Sequence, residues 1–225
     1  MARRSYNQYC GLSRSLDLVG ERWTLLIVRE LLAGPKRYSD LVDALDGIGT
    51  NLLATRIKQL DQDGLVARRY LPPPAASQVY ELTPAGRELA AALVPLAIWG
   101  LRHRFDEPRR RDENYRAEWT VVFLAALIDP VATTGMHLVI QLRLDDSAAA
   151  LAIDDGRVAV TPGEVDHADV VVTTDLRTLA EFATRDQAPD LAKVAERLTV
   201  DGDMAVAQLL FELLADRRAG STPVW

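Results

Sequence analysis

Three histidines, one cysteine and two acidic pairs are the residues from which catalysis in this 225-residue chain would most readily be built. His103, His137 and His167 are scattered, and none has the spacing of a metal site. Asp145-Asp146 and Asp154-Asp155 read as turn residues rather than an acid–base pair, because short carboxylates bond their own backbone in turns. No nucleophile elbow, phosphate-binding glycine loop or dinucleotide fingerprint is present. An enzyme is therefore not expected, nor a metal or a cofactor. The chemistry on offer lies instead in residues 50–64, TNLLATRIKQLDQDG. At about 100° per residue, Leu53, Ile57 and Leu60 share one face of a helix. Asn51, Thr55, Lys58, Gln59 and Gln62 share the other, with Arg56 on its flank. Long donors and amides with few carboxylates are what phosphate oxygens and base edges require. Thr50 or Asn51 is expected to cap this helix, and Gly64 to end it.

Composition divides the chain. Residues 1–111 carry 17 Lys and Arg against 12 Asp and Glu, and residues 112–225 carry 9 against 20, within an overall charge of −6. Such asymmetry suits one half that meets a polyanion and one that does not. Hydrophobic content of 48% with 26% charged residues describes a globular protein. A single cysteine excludes an intrachain disulfide framework and fits a reducing cytoplasm, the expected location. The start has Arg3 and Arg4 but no apolar stretch of a secretory signal, and reads as an arm able to reach an anionic partner. The longest apolar run, residues 121–128, falls far short of the roughly 20 needed to span a bilayer, so no membrane partner is expected.

The elements that would position the polar helix follow in order. A short helix is expected over residues 13–19, and an apolar one over 22–32, stopped by Gly34-Pro35. Ser39 is expected to cap a helix ending at Gly47, after which Ile48-Gly49 leads directly into residues 50–64. Two short helices joined by a tight glycine turn have the form of a helix-turn-helix whose second helix reads. Residues 65–71 and 79–82 then form a hairpin carrying Arg68 and Arg69, placed as a wing along a backbone or minor groove. Thr83-Pro84 starts a long helix to about residue 105, which Pro95 should bend or restart. Leu89, Leu93, Leu96 and Gly100 lie on one face, Val94, Ile98 and Leu101 on another, and Trp99 between. One apolar face can pack at home; the other calls for a symmetric dimer. Residues 107–114, with Arg109, Arg110 and Arg111, make the domain boundary, either as solvated linker or as a further phosphate contact.

After it come an apolar helix (119–128), strands at 137–144 and 168–174, and a hairpin of 149–153 with 158–161 around Asp154-Asp155-Gly156. Asp175 caps a helix at 176–184. A further helix at 189–197, an extended piece at 198–200 and a last helix at 204–218 complete the chain. The fold class is α+β, with a small second domain built on an antiparallel sheet. The division is 1–106, a linker at 107–116, and 117–225.

The first part resembles the HxlR-type winged helix-turn-helix transcription regulators. The resemblance is carried by Cys10, Leu16 to Gly20, Arg22-Trp23-Thr24-Leu25-Leu26-Ile27, Arg29-Glu30-Leu31, Gly34-Pro35 and Tyr38 to Leu41. It continues through Gly47-Ile48, Leu52-Leu53, Arg56-Ile57, Leu60, Gly64-Leu65-Val66, Tyr80 to Pro84, Gly86 and Trp99-Gly100. It implies a dimer on double-stranded, pseudo-palindromic operator DNA, joined through the N-terminal segment and the long helix, the latter giving Leu89, Leu93, Leu96 and Trp99. Arg56, Lys58, Arg68 and Arg69 would meet phosphates and Asn51, Thr55 and Gln59 would read bases, with Arg37, Ser39 and Thr50 on the same surface. The hairpin departs from the pattern: PPPAASQ has no arginine at its tip. Cys10 stands where some members carry a redox-sensing cysteine, with Arg14 nearby to favour the thiolate; a plain structural thiol is the alternative.

The second part looks like the sterol-carrier-protein fold, on the order of its elements: the turn at Asp154-Asp155-Gly156, ADVVVTTD running into a helix, and Val200-Asp201-Gly202-Asp203 before the last helix. Such a domain surrounds an apolar cavity, for which Trp119, Phe123, Leu127, Met136, Leu138, Ile140, Phe182, Met204, Leu209 and Phe211 are the candidate lining, or else simply core. The reading is of a DNA-binding regulator, most simply a repressor, with a domain for a hydrophobic small-molecule effector. The alternatives are a ligand-binding adaptor and a redox-responsive regulator acting through Cys10.

Overall fold

The computed structural model describes residues 5–74, 76–104, 109, 110, 112–179 and 197–216. The expected arm at Arg3 and Arg4, residues 180–184 of one expected helix and 189–196 of the next, Arg111 and Phe182 lie outside them. The chain divides into two compact units, Met1–Leu93 and Val94–Trp225.

The first unit begins with α1 (Gly11–Val19), α2 (Thr24–Leu32), α3 (Tyr38–Ala44) and α4 (Thr50–Gln62). The hairpin β1 (Val66–Tyr70) and β2 (Gln78–Leu82) follows, and α5 (Pro84–Arg104) starts in this unit and runs past its end. The core is made where these elements bring their apolar sides together: Ile27, Val28 and Leu31 of α2, Leu41 of α3, Leu53, Ile57 and Leu60 of α4, Val66 and Val79 of the hairpin, and Ala90 of α5. Burial of that stripe on α4 is the term that seats the helix, since each such side chain contributes about 1.5–3 kcal/mol. The outward side is left polar and exposed.

Local starts differ from the sequence reading in four places. α1 begins at Gly11 with Cys10 at its N-cap. α2 begins at Thr24, because Trp23 takes a left-handed conformation, φ 78°. Ser39 does not cap α3: Arg37 holds the N-cap, and its N–H donates to Asp40 Oδ2 at 2.8 Å, leaving Ser39 within the first turn. Neither Thr50 nor Asn51 caps α4, whose N-cap is Gly49. The expected stop at Gly64 is present, φ 70°. The start of α5 is also as expected: Thr83 Oγ1 accepts from the Gly86 N–H at 3.1 Å, and donates to the Gly64 carbonyl at 2.6 Å. Gly86 lies so close to the α4–β1 turn that a Cβ there would sit 2.0 Å from the Leu65 carbonyl oxygen. The chain stays helical through Pro95.

The second unit is a five-stranded sheet flanked by α6 (Ala117–Ala125) and α7 (Met204–Asp216), with strands β3 (His137–Leu144), β4 (Ser147–Asp154), β5 (Arg157–Pro162), β6 (Val170–Thr174) and β7 (Leu198–Gly202) in the order β5-β4-β3-β6-β7. The expected hairpin is there: Asp155 and Gly156 both have positive φ, 46° and 79°, the two-residue turn that matches strand twist. An all-antiparallel sheet was expected; the β3–β6 pair is parallel, while the other three pairings are antiparallel. The reason is the return from edge strand β5, which passes over β4 and β3 before β6. Gln141 holds that return from the sheet, donating through Nε2 to the Gly163 carbonyl at 3.1 Å and accepting the Val165 N–H at 2.9 Å. The opposite face is apolar, with Ile140, Leu142, Leu144, Leu151, Ile153, Val170 and Val172 packed on Val121 and Leu124 of α6 and Ala207 and Leu210 of α7.

Candidate nucleic-acid interface

Thr50, Asn51, Thr55, Lys58 and Gln59 are all exposed on one side of α4, joined by Leu52 and Ala54. Their exposure follows from the helical stripe: with Leu53, Ile57 and Leu60 in the core, the opposite residues have nowhere to go but solvent. The Thr55 hydroxyl donates to the Asn51 carbonyl at 2.8 Å and so shows the outside its lone pairs and methyl. Tyr38 Oη, from α3, donates to the Thr50 carbonyl at 2.6 Å and ties the two helices of the turn together.

Arg56 was expected to offer its charge outward. Its side chain is only 13% exposed and engaged at both ends, Nη2 on Glu21 Oε2 and Nη1 on Gln59 Oε1, each at 2.7 Å. It braces the helix against the turn between α1 and α2. The wing arginines are also paired. Arg68 Nε lies 3.4 Å from Asp61 Oδ2 and its guanidinium stacks over Tyr80, while Arg69 Nε donates to Glu81 Oε2 at 2.9 Å. Both remain about half exposed, at 50% and 48%. Arg37 is exposed and donates through Nε to Ser77 Oγ at 3.0 Å, joining the start of α3 to the hairpin loop just before β2. Ser39 is exposed beside it.

These carboxylate partners, with Tyr38, are what sequence reasoning missed. Glu21 and Arg56 are 35 residues apart, and no periodicity links them. The hairpin register sets Arg69 opposite Val79 and Ala67 opposite Glu81, and Arg69 reaches Glu81 diagonally, two residues along the partner strand.

Around α1, Tyr6, Tyr9, Leu12 and Leu16 are exposed apolar residues. On α5, Leu96 and Trp99 are exposed at 52% and 58%, Leu89 is half-buried, and Leu93 is 7% exposed. Leu93 therefore belongs to the core of its own chain and has little area left for a partner, a correction to its expected place on a dimer face.

Cys10 is exposed. It stands at the N-cap of α1 without a side-chain cap hydrogen bond, and the backbone N–H groups of Ser13 and Leu12 at that helix start favour its thiolate and hold the thiol below the ordinary cysteine range. The expected helper, Arg14, instead lies over the Tyr9 ring, 5.6 Å from its centroid.

In the second unit Leu127, Met136, Leu138, Ile140 and Leu209 belong to the apolar core cluster. Trp119 and Phe123 are half-buried, Phe211 is buried, and Met204 is 59% exposed. Arg109 grips Asp146 with two hydrogen bonds, 2.9 and 2.8 Å, and Arg110 pairs with Asp112, so these two arginines are engaged within their own unit. His137 Nδ1 faces Asp154 Oδ1 across β3 and β4 at 2.6 Å, and His103 packs on Trp99. Among the described residues no three His, Cys, Asp or Glu side chains are grouped to hold a metal ion, and no helix is long and apolar enough to cross a membrane.

Comparison with known proteins places these features. Residues 18–107 match the family described as HxlR-like helix-turn-helix, and residues 129–215 match the SCP-2 sterol transfer family. The HTH-type transcriptional regulator YodB of Bacillus subtilis is 33% identical over 97 residues, which are 43% of this chain and 85% of that one. The HTH-type transcriptional regulator Mb3122 of Mycobacterium bovis is 44% identical over 89 residues, 40% of this chain and 56% of the relative's own length. The solved reduced form of YodB from B. subtilis is 30% identical and aligns with 45% of this chain and all of that chain, at a TM-score of 0.39.

Proposed function

The chain belongs to the HxlR-like helix-turn-helix family, and from that premise we propose that it is a transcriptional regulator that binds operator DNA as a homodimer and represses by occupying it. The observation carrying this reading is the exposed polar side of α4, set one tight turn after α3 and next to a hairpin bearing Arg68 and Arg69. The N-terminal half of α4 enters the major groove, with Asn51 and Thr55 at base edges and Lys58 on phosphate. Arg37, Ser39 and Thr50 border the same groove, and the hairpin arginines follow the backbone once phosphate displaces their carboxylates. Arg56 positions α4 rather than meeting DNA first.

A dimer presents two copies of α4 to half-sites about one helical turn apart, roughly 34 Å. A second copy would cover exposed apolar residues of each unit: Tyr6, Tyr9, Leu12 and Leu16, with the half-buried Leu89, in the first, and Leu96 and Trp99 in the second. The second unit takes a hydrophobic small molecule on the apolar side of its sheet, in keeping with its match to the SCP-2 family. Trp119, Phe123, Met136 and Phe211 are the contacts proposed there. Such a ligand regulates only if it binds the DNA-competent and incompetent forms unequally, and DNA must then change its affinity by the same factor.

Mobility-shift titration of the protein on its own upstream region tests the proposal. A discrete complex that survives unrelated competitor DNA supports it, and no complex at any concentration removes it. Redox control through Cys10 is a second reading, favoured by the exposure of that thiol and its place at the start of α1. A disulfide reagent that leaves operator affinity unchanged would set it aside.

A further inference from the structure

Gln59 lies on the exposed side of α4, one turn beyond Thr55. Its Oε1 accepts from Arg56 Nη1 at 2.7 Å, and Arg56 Nη2 is held by Glu21 Oε2 at 2.7 Å. An arginine has donors and no acceptor, so the amide atom facing it must be the carbonyl oxygen. Glu21 holds the guanidinium from its far side in a largely buried setting, 13% exposed, so the amide is kept in that sense. Gln59 therefore turns its two Nε2 hydrogens toward an incoming duplex, and one of the two Oε1 lone pairs is already taken by Arg56.

A glutamine that reads adenine needs both atoms, Oε1 accepting from the N6 amine and Nε2 donating to N7. The amide held by Arg56 has its carbonyl turned toward the guanidinium and shared with it, so adenine's amine meets the Nε2 side, a donor. Guanine presents O6 and N7, two acceptors, on the same edge. We propose that Gln59 selects guanine over adenine at one position of each half-site, and that Glu21 is a positioning residue that sets this choice through Arg56. The proposal rests on the DNA-binding reading above and names what that surface recognises.

The test is selection of bound duplexes from a random-sequence pool by the full-length protein and by Gln59→Ala and Glu21→Ala. Equilibrium titration on the four base pairs at the affected position follows. The wild type favours guanine over adenine by about tenfold, a single-contact share of typical base discrimination. Gln59→Ala flattens that position alone. Glu21→Ala leaves the largely buried Arg56 guanidinium without its carboxylate, so a few degrees of melting temperature are lost, and the guanine-to-adenine ratio, taken within the folded variant, falls. Adenine preferred by the wild type there, equal weakening of every sequence by Gln59→Ala, or an unchanged ratio in Glu21→Ala each overturns the proposal. Specific binding with the wrong base overturns it alone; recovery of no bound sequence overturns the DNA-binding reading with it.

Discussion

Tyr38 Oη and the Thr50 carbonyl, 2.6 Å apart, form a side-chain bridge between α3 and the first residue of α4. The bond sets where the reading helix begins relative to the helix before it. Tyr38→Phe keeps the ring and removes the donor, at a cost of about 1 kcal/mol. Thermal unfolding should show a drop of a few degrees, and operator affinity should fall with it. Affinity unchanged in the variant would mean the bridge does not govern the start of α4.

Gly86→Ala puts a methyl carbon 2.0 Å from the Leu65 carbonyl oxygen, a backbone atom that cannot swing aside. Either α5 or the α4–β1 turn must shift. Overpacking of this kind costs about 1–3 kcal/mol, and denaturant unfolding should read a loss in that range. A variant as stable as the parent would place α5 farther from the turn than it lies here.

Asp61→Asn and Glu81→Gln free Arg68 and Arg69 from carboxylates at 3.4 and 2.9 Å. Phosphate then meets an unpaired arginine instead of displacing an acid. Fluorescence anisotropy on a duplex without an operator should show tighter binding for the double variant and a smaller margin for the operator. Weaker binding would mean the pairs hold the hairpin in its binding shape.

Cys10 gives a pH dependence. Stabilising the thiolate by the Ser13 and Leu12 N–H groups lowers the pH at which the thiol ionises. The thiolate is the nucleophile, so alkylation by iodoacetamide should reach half its maximum rate at lower pH than for a cysteine in an unfolded peptide. A midpoint at or above the peptide's value contradicts the N-cap account.

What could be read from the sequence was whatever local pattern decides. The Leu53, Ile57 and Leu60 stripe gave α4 its buried side, and Asp155-Gly156 gave the β4–β5 turn its two positive φ angles. Thr83 gave α5 its cap. Ser39 carried a capping side chain, yet the helix starts earlier: the N-cap falls at Arg37, and Asp40, three residues on, closes the start of α3. What was not legible depended on residues far apart in the chain. The parallel β3–β6 pairing follows from a return path over the sheet, and the brace on Arg56 comes from Glu21, 35 residues earlier. Leu93 shared an apolar face with Leu96, yet one is buried and the other exposed, because the rest of the fold covers only part of that face.

Salt-dependent binding to the protein's own upstream DNA, for the wild type and for Lys58→Glu and Lys58→Ala, tests the central claim most directly. Lys58 is exposed on α4 and apart from its core stripe, so both variants should melt as the parent does. The account predicts a steep fall in wild-type affinity with salt, a slope smaller by about 1 for Lys58→Ala, and no binding for Lys58→Glu. Unchanged binding and slope in both variants would contradict it, because the exposed side of α4 would then not be the surface that meets the duplex.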